Sequence, residues 1–171
     1  MTPSSTPLRL RAASPDDTRE IAGAVAAAIK PGDVVVLSGE LGAGKTCFVQ
    51  GAAAALGVTT RVPSPTFMLV RTYPTARVPI VHCDVYRLDR LHDVLDLGDD
   101  VFASDVVTFV EWGDAIDPLL PDDRLEVEIV LADAASPDAD RLIELRPHGR
   151  WVDDVQAIRM ACAGWDTGEV G

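Results

Sequence analysis

Apolar positions along the chain come in three spacings. Asp33-Val34-Val35-Val36-Leu37-Ser38, Ile80-Val81-His82-Cys83-Asp84 and Val106-Val107-Thr108-Phe109-Val110-Glu111 are short, nearly continuous apolar runs, as expected of strands buried on both faces of a sheet. Leu125-Glu126-Val127-Glu128-Ile129-Val130 and Arg141-Leu142-Ile143-Glu144-Leu145-Arg146 instead alternate apolar and charged residues. That period predicts strands with one buried face, and the connection Ala135-Ser136-Pro137-Asp138 makes them an antiparallel pair. Helical spacing links Ile21, Val25, Ala28 and Ile29. The helix they predict starts at Ser14-Pro15-Asp16-Asp17, with a serine N-cap, a first-turn proline and acids at the positive end of the dipole, and stops at Pro31-Gly32. Further helices are expected over 45–56, around Leu88, Leu91, Val94 and Leu95, and over 151–163. The segments 67–73 and 80–84, joined by a turn over 74–79, look like a hairpin.

Alternation of these elements predicts a single α/β domain over 14–163: a central, mostly parallel sheet with antiparallel strands and helices on both faces. Residues 1–13 read as a loose tail leading into an edge strand, and 164–171 as a frayed tail. A length of 171 residues, 47% apolar and 25% charged, suits one buried core. No apolar run approaches the ~18–20 residues of a membrane span, and the start Met1-Thr2-Pro3-Ser4-Ser5 lacks the form of a secretion signal. Cys47, Cys83 and Cys162 are odd in number and form no CxxC pair, so they read as reduced thiols of a cytoplasmic protein; a metal site combining them with His82, His92 and His148 has no supporting spacing. The net charge of −12, with no run of Lys or Arg, disfavours direct binding to nucleic acid, so any role in nucleic-acid chemistry would pass through a protein partner.

Between the run 33–38 and the helix 45–56 stands Gly39-Glu40-Leu41-Gly42-Ala43-Gly44-Lys45-Thr46, a complete G-x-x-x-x-G-K-[ST] phosphate-binding loop. Glycines let the backbone curl so that successive N–H groups and the following helix N-terminus face a triphosphate. Lys45 adds a positive charge, and Thr46 a hydroxyl suited to magnesium (Mg2+). The expected fold is therefore of the P-loop NTPase-like mononucleotide-binding kind. Such a loop needs a carboxylate at a strand end to hold the metal, directly or through water, and Asp84 and Glu111 both qualify. Thr66, held by Pro63 and Pro65 in extended geometry, reads either as a hinged sensor of the third phosphate or as a strand-initiating turn.

The loop at 39–46, Ser-Pro-Thr-Phe at 64–67, His-Cys-Asp-Val-Tyr-Arg-Leu at 82–88 and Val-Glu-Trp at 110–112 together resemble the TsaE family, small bacterial P-loop ATPases of tRNA threonylcarbamoyladenosine biosynthesis. The resemblance runs from about Ser14 to Leu145, and the stretch from about His148 lies outside it. It implies a slow, magnesium-dependent ATPase that works on two partner proteins, TsaB and TsaD, and resets their complex between turnovers. By position it implies phosphate binding by Glu40, Leu41, Gly42, Ala43, Gly44, Lys45 and Thr46, with Thr46 and Glu111 as magnesium ligands. Asp84 takes the place of the family's essential acid, Thr66 of its switch-like threonine, and Trp112 of the tryptophan beside the metal acid, although bulk chemistry alone reads Trp112 as a packed aromatic. Pro15 falls where the family's N-terminal region approaches the base. Cys47 and Cys83 depart from the residues more usual at their positions. Two rivals share the loop: a small-molecule kinase, and a nucleotide-gated binding module in which hydrolysis is incidental.

Overall fold

The three apolar runs lie side by side in the middle of the sheet. In the computed structural model, which describes residues 6–64, 70–85 and 99–168, strands β1 (Leu8–Ala12), β2 (Val34–Ser38), β3 (Val70–Tyr73), β4 (Ile80–Asp84), β5 (Val107–Glu111), β6 (Leu125–Leu131) and β7 (Arg141–Pro147) form one seven-stranded sheet. Its order is β1-β7-β6-β2-β5-β4-β3. Strand β2 is parallel to both β5 and β6, and β4 is parallel to β5. The margins are antiparallel, β3 on β4 and β1 on β7 on β6. The antiparallel β6–β7 pair is as its alternation predicts. That alternation did not reveal the parallel pairing of β6 with β2, which brings the pair beside the phosphate loop. Thr66, the segment 67–69 and the helix expected around Leu88 to Leu95 lie outside the described residues.

Side-chain period divides the central strands between two cores. Val35, Leu37, Ile80, Val107 and Phe109 join the core that also holds Ile21 and Val25 of helix α1 (Pro15–Ala26), Phe48 and Val49 of α2 (Lys45–Ala55), and Trp151, Val155 and Ile158 of α3 (Trp151–Ala161). Val34, Val36, Val81, Cys83 and Val110 face the other way, onto Val101 and Ile116 from the 3-10 segments Asp99–Phe102 and Gly113–Leu119. At the carboxyl ends of β4 and β5 the first face changes from apolar to polar: His82 and Asp84 follow Ile80, and Glu111 follows Phe109. This change of chemistry along one face of the sheet places the candidate site.

Helix α1 begins as its sequence predicts, with Ser14 Oγ accepting the Asp17 N–H at 3.1 Å. It ends at Ala26, five residues short of Pro31: the Ala28 and Ile29 N–H groups turn back to the Val25 and Ala26 carbonyls at 3.0 and 3.1 Å in a tighter turn, and Arg77 caps the carbonyls of Ala26, Ala27 and Ile29 at 3.4, 3.4 and 3.1 Å. Residues 164–168, expected to fray, are instead pinned along β1. Arg11 N–H donates to the Trp165 carbonyl at 2.8 Å, Thr167 N–H donates to the Arg9 carbonyl at 3.0 Å, and the Trp165 indole donates to Asp17 Oδ1 at 3.1 Å. That indole bond is the main reason the Asp17 carboxyl titrates below its ordinary value.

Helices α1 and α2 pack closely at Gly51. A Cβ there would lie 2.4 Å from the Arg19 carbonyl oxygen, so the two helices meet at backbone contact. Gly51→Ala is expected to lower stability by about 1–3 kcal/mol in urea denaturation through forced separation of the pair. An unchanged midpoint would show that the helices part there without loss.

Candidate active site

Strand β2 delivers the chain into the loop 39–46 at the carboxyl edge of the sheet, and α2 leads it away. Gly39, Gly42 and Gly44 have φ of 140°, 81° and 114°, a region that residues with side chains rarely adopt. A Cβ on Gly39 would also lie 2.2 Å from the Ile129 carbonyl of β6, so glycine is required there on two grounds. Gly44 is the N-cap of α2 and offers no side-chain cap, which leaves the N–H groups of the first turn available to an anion. The loop borders a cavity of about 340 Å³ lined by Gly42, Gly44, Lys45, Thr46, Asp84 and Glu111, among others.

Lys45 is only 5% exposed. Its Nζ donates to the Gly39 and Glu40 carbonyls at 2.7 and 3.0 Å and sits 3.9 Å from the centroid of the Trp112 ring. The ammonium therefore braces the start of the loop while resting on an aromatic face. Trp112 has φ of 64°, the one non-glycine positive φ among the described residues. Its N–H donates to the Leu37 carbonyl at 2.8 Å, tying this strained turn to β2. A left-handed residue at the end of a strand aims its ring back over the loop. Leu41, at the loop apex, is 90% exposed and borders the same cavity.

Two carboxylates reach the cavity. Glu111 ends β5, and its Oε1 accepts the Thr46 hydroxyl at 2.8 Å and lies 2.8 Å from His82 Nε2. Asp84 ends β4 in register with Glu111 across a parallel pair, so both side chains leave the sheet on the same face. Both are at least nine-tenths buried. A hydroxyl joined to a carboxylate, a second carboxylate and an ammonium group thus converge beside an open helix N-terminus. Such a set can bind a polyanion together with a hard divalent cation.

On the other side of the loop a cavity of about 450 Å³ is lined by Pro15, Arg19, Gly42, Ala43, Cys47 and Arg141, among others. Pro15 is brought there by the packing of α1 on α2, and its carbonyl accepts the Cys47 thiol at 3.4 Å. Arg141 reaches from β7 to donate to the Ala43 and Gly42 carbonyls at 3.1 and 3.3 Å, so the loop is braced by a cation on each side. Burial pushes the Cys47 thiol up, and pushes Cys83, which faces the other core, up to about 12. Both remain thiols rather than nucleophilic thiolates.

The structure brings together Lys45, Thr46, Asp84, Glu111 and Trp112, and sets Pro15 across the loop from them. Reading the sequence alone weighed His82 only for a metal site with the cysteines, which it set aside, and passed over Arg141. His82 carried a usable signal, since it stands two residues before Asp84 on the same face of β4. Arg141 carried none, being 98 residues from its partner Ala43.

The family described as "Threonylcarbamoyl adenosine biosynthesis protein TsaE" matches residues 12–140. The chain belongs to the TsaE family. The tRNA threonylcarbamoyladenosine biosynthesis protein TsaE of Bacillus subtilis is 43% identical over 71% of this chain and 77% of its own length. The TsaE protein of Streptomyces coelicolor is 42% identical over 78% of this chain and 93% of its own. The crystal structure of Bacillus subtilis YdiB superposes with a TM-score of 0.72 at 34% identity, covering 93% of each chain. The TsaE match contains Pro15, the whole loop, Asp84, Glu111 and Trp112, and ends one residue before Arg141. No helix among the described residues is long and apolar enough to cross a membrane.

Proposed function

We propose that this TsaE-family chain is a slow, magnesium-dependent ATPase of tRNA threonylcarbamoyladenosine biosynthesis, acting in the cytoplasm on a TsaB–TsaD complex so that the complex turns over repeatedly. The observation that carries the reading is the 2.8 Å bond from the Thr46 hydroxyl to Glu111, which joins the loop to a strand-end carboxylate. Both are oxygen donors suited to magnesium, and together they are the residues that would hold it. When bound, the ion would neutralise phosphate charge during transfer.

The remaining roles belong to the chain's own groups. Loop amides from Glu40 to Thr46 cradle the phosphates, and Lys45 stabilises charge on the phosphoryl group in transfer. Asp84, in register with Glu111 at the end of the neighbouring strand and lining the same cavity, orders the attacking water. Pro15 and the cavity around it receive the adenine side of the nucleotide, and Trp112 lines the phosphate side. Thr66 senses the third phosphate, a role that rests on the family resemblance. Turnover rises when the partner complex completes the site. A chain of net charge −12 reaches tRNA through those partners rather than by itself.

Reconstitution tests this reading: the purified chain with TsaB, TsaD, tRNA and the substrates of the modification, with modified nucleoside counted over multiple turnovers. Omitting the chain, or withholding ATP hydrolysis from it, is expected to stop accumulation after the first turnover. A yield unchanged on omission would remove the role. A phosphorylated metabolite in place of free phosphate would favour the kinase. Repeated modification supported by an Asp84→Asn chain that binds ATP without hydrolysing it would favour the nucleotide-gated module.

A further inference from the structure

His82 is a fully buried histidine in the middle of β4, and among the described residues its ring makes a single hydrogen bond, from Nε2 to Glu111 Oε1 at 2.8 Å. Its other nitrogen, Nδ1, is buried with no partner among the described residues. These two facts select the tautomer. With the proton on Nε2, the ring donates to the carboxylate and leaves Nδ1 as a bare lone pair. The opposite tautomer would set a lone pair against a carboxylate and bury an N–H with no acceptor.

Position along the strands gives the bond its direction. His82 is in register with Phe109, two residues before Glu111, so the imidazole reaches along the first face of the sheet to lie beneath the carboxylate. Around it are apolar side chains such as Ile80 and Phe109, where a hydrocarbon would pack at least as well. Among the described residues the imidazole's one polar contact is thus with a candidate magnesium ligand. Thr46 Oγ1 engages the same oxygen, so Oε1 is gripped from the loop and from beneath the sheet edge.

We propose that His82 is a positioning residue that fixes the orientation of Glu111, so that the carboxylate and the Thr46 hydroxyl meet the metal without rearrangement. The proposal rests on the magnesium–ATP reading above. Buried donors behind a metal-binding carboxylate act by restricting its rotation, and their loss characteristically weakens metal affinity by about 10–100-fold. His82 needs no contact with nucleotide to do this. Its effect should therefore appear in the metal dependence of binding and not in nucleotide affinity as such.

The test compares His82→Gln, whose amide nitrogen can occupy the place of Nε2, with His82→Asn, whose shorter side chain falls short of Glu111. Affinity for ATP is measured by calorimetry in EDTA and across a magnesium series, alongside thermal melting. The expected result is that His82→Asn requires about tenfold or more magnesium for half its full gain in ATP affinity, while His82→Gln stays close to the parent chain. ATP affinity in EDTA should be equal in all three. His82→Leu, which retains the packing volume without a donor, should behave like His82→Asn. An unchanged magnesium requirement in His82→Asn and His82→Leu would overturn the proposal, as would equal losses of ATP affinity with and without magnesium. If the parent chain itself gains nothing from magnesium, the magnesium–ATP reading fails first.

Discussion

Lys45→Ala is expected to lower ATP hydrolysis by about 10²–10³-fold, with a parallel loss of ATP affinity. The ammonium group is nearly buried and is held by the Gly39 and Glu40 carbonyls and the Trp112 ring, so little reorganisation is needed for it to meet a phosphate. A positive charge already in place is what a developing phosphoryl charge requires, and its stabilisation is larger in a site shielded from water. Alanine removes the charge and leaves the first two loop carbonyls without their donor. The two cores are untouched by this change, so cooperative unfolding is expected to persist, and phosphate release and calorimetry report on the site rather than on folding. Full turnover in Lys45→Ala would exclude the loop as the site of phosphoryl chemistry.

Asp84→Asn separates binding from chemistry. Asparagine keeps the shape of the side chain at the end of β4 and removes its charge, so the cavity remains while the candidate base is lost. Hydrolysis at saturating ATP is expected to fall by about 10²–10⁴-fold, the range typical of a positioned acid or base. ATP affinity in magnesium should change little, because Thr46 and Glu111 remain joined. Glu111→Gln should give the opposite pattern, with weakened magnesium dependence of binding as its first defect. Single-turnover hydrolysis together with equilibrium binding distinguishes the two. If Glu111→Gln loses only turnover and Asp84→Asn loses only metal dependence, the two carboxylates exchange roles.

Features carried by a local pattern were readable in advance. The loop 39–46 is a contiguous motif, and the runs ending in Asp84 and Glu111 show by simple period that both acids stand at strand ends. Their meeting at one edge required only that the strands be parallel, as β4 and β5 are. Ser14 was readable as a cap because its partner is three residues away. Features decided at long range were not. The cap on the end of α1 comes from Arg77, some fifty residues downstream, and the pinned segment 164–168 depends on Asp17 and β1. The parallel pairing of β6 with β2 leaves no trace in the alternation of β6, which reads the same beside either neighbour. Trp112 entered through the family resemblance, while its left-handed backbone and its contact with Lys45 arise only when the β5 end and the loop are brought together.

Titrating ATP into the purified chain in the presence of magnesium, with a matched titration in EDTA, addresses the phosphate loop most directly. The expected result is a saturable single-site isotherm that tightens with magnesium and is lost in Lys45→Ala. No heat of binding from any nucleoside triphosphate in magnesium, with or without TsaB and TsaD present, would contradict it.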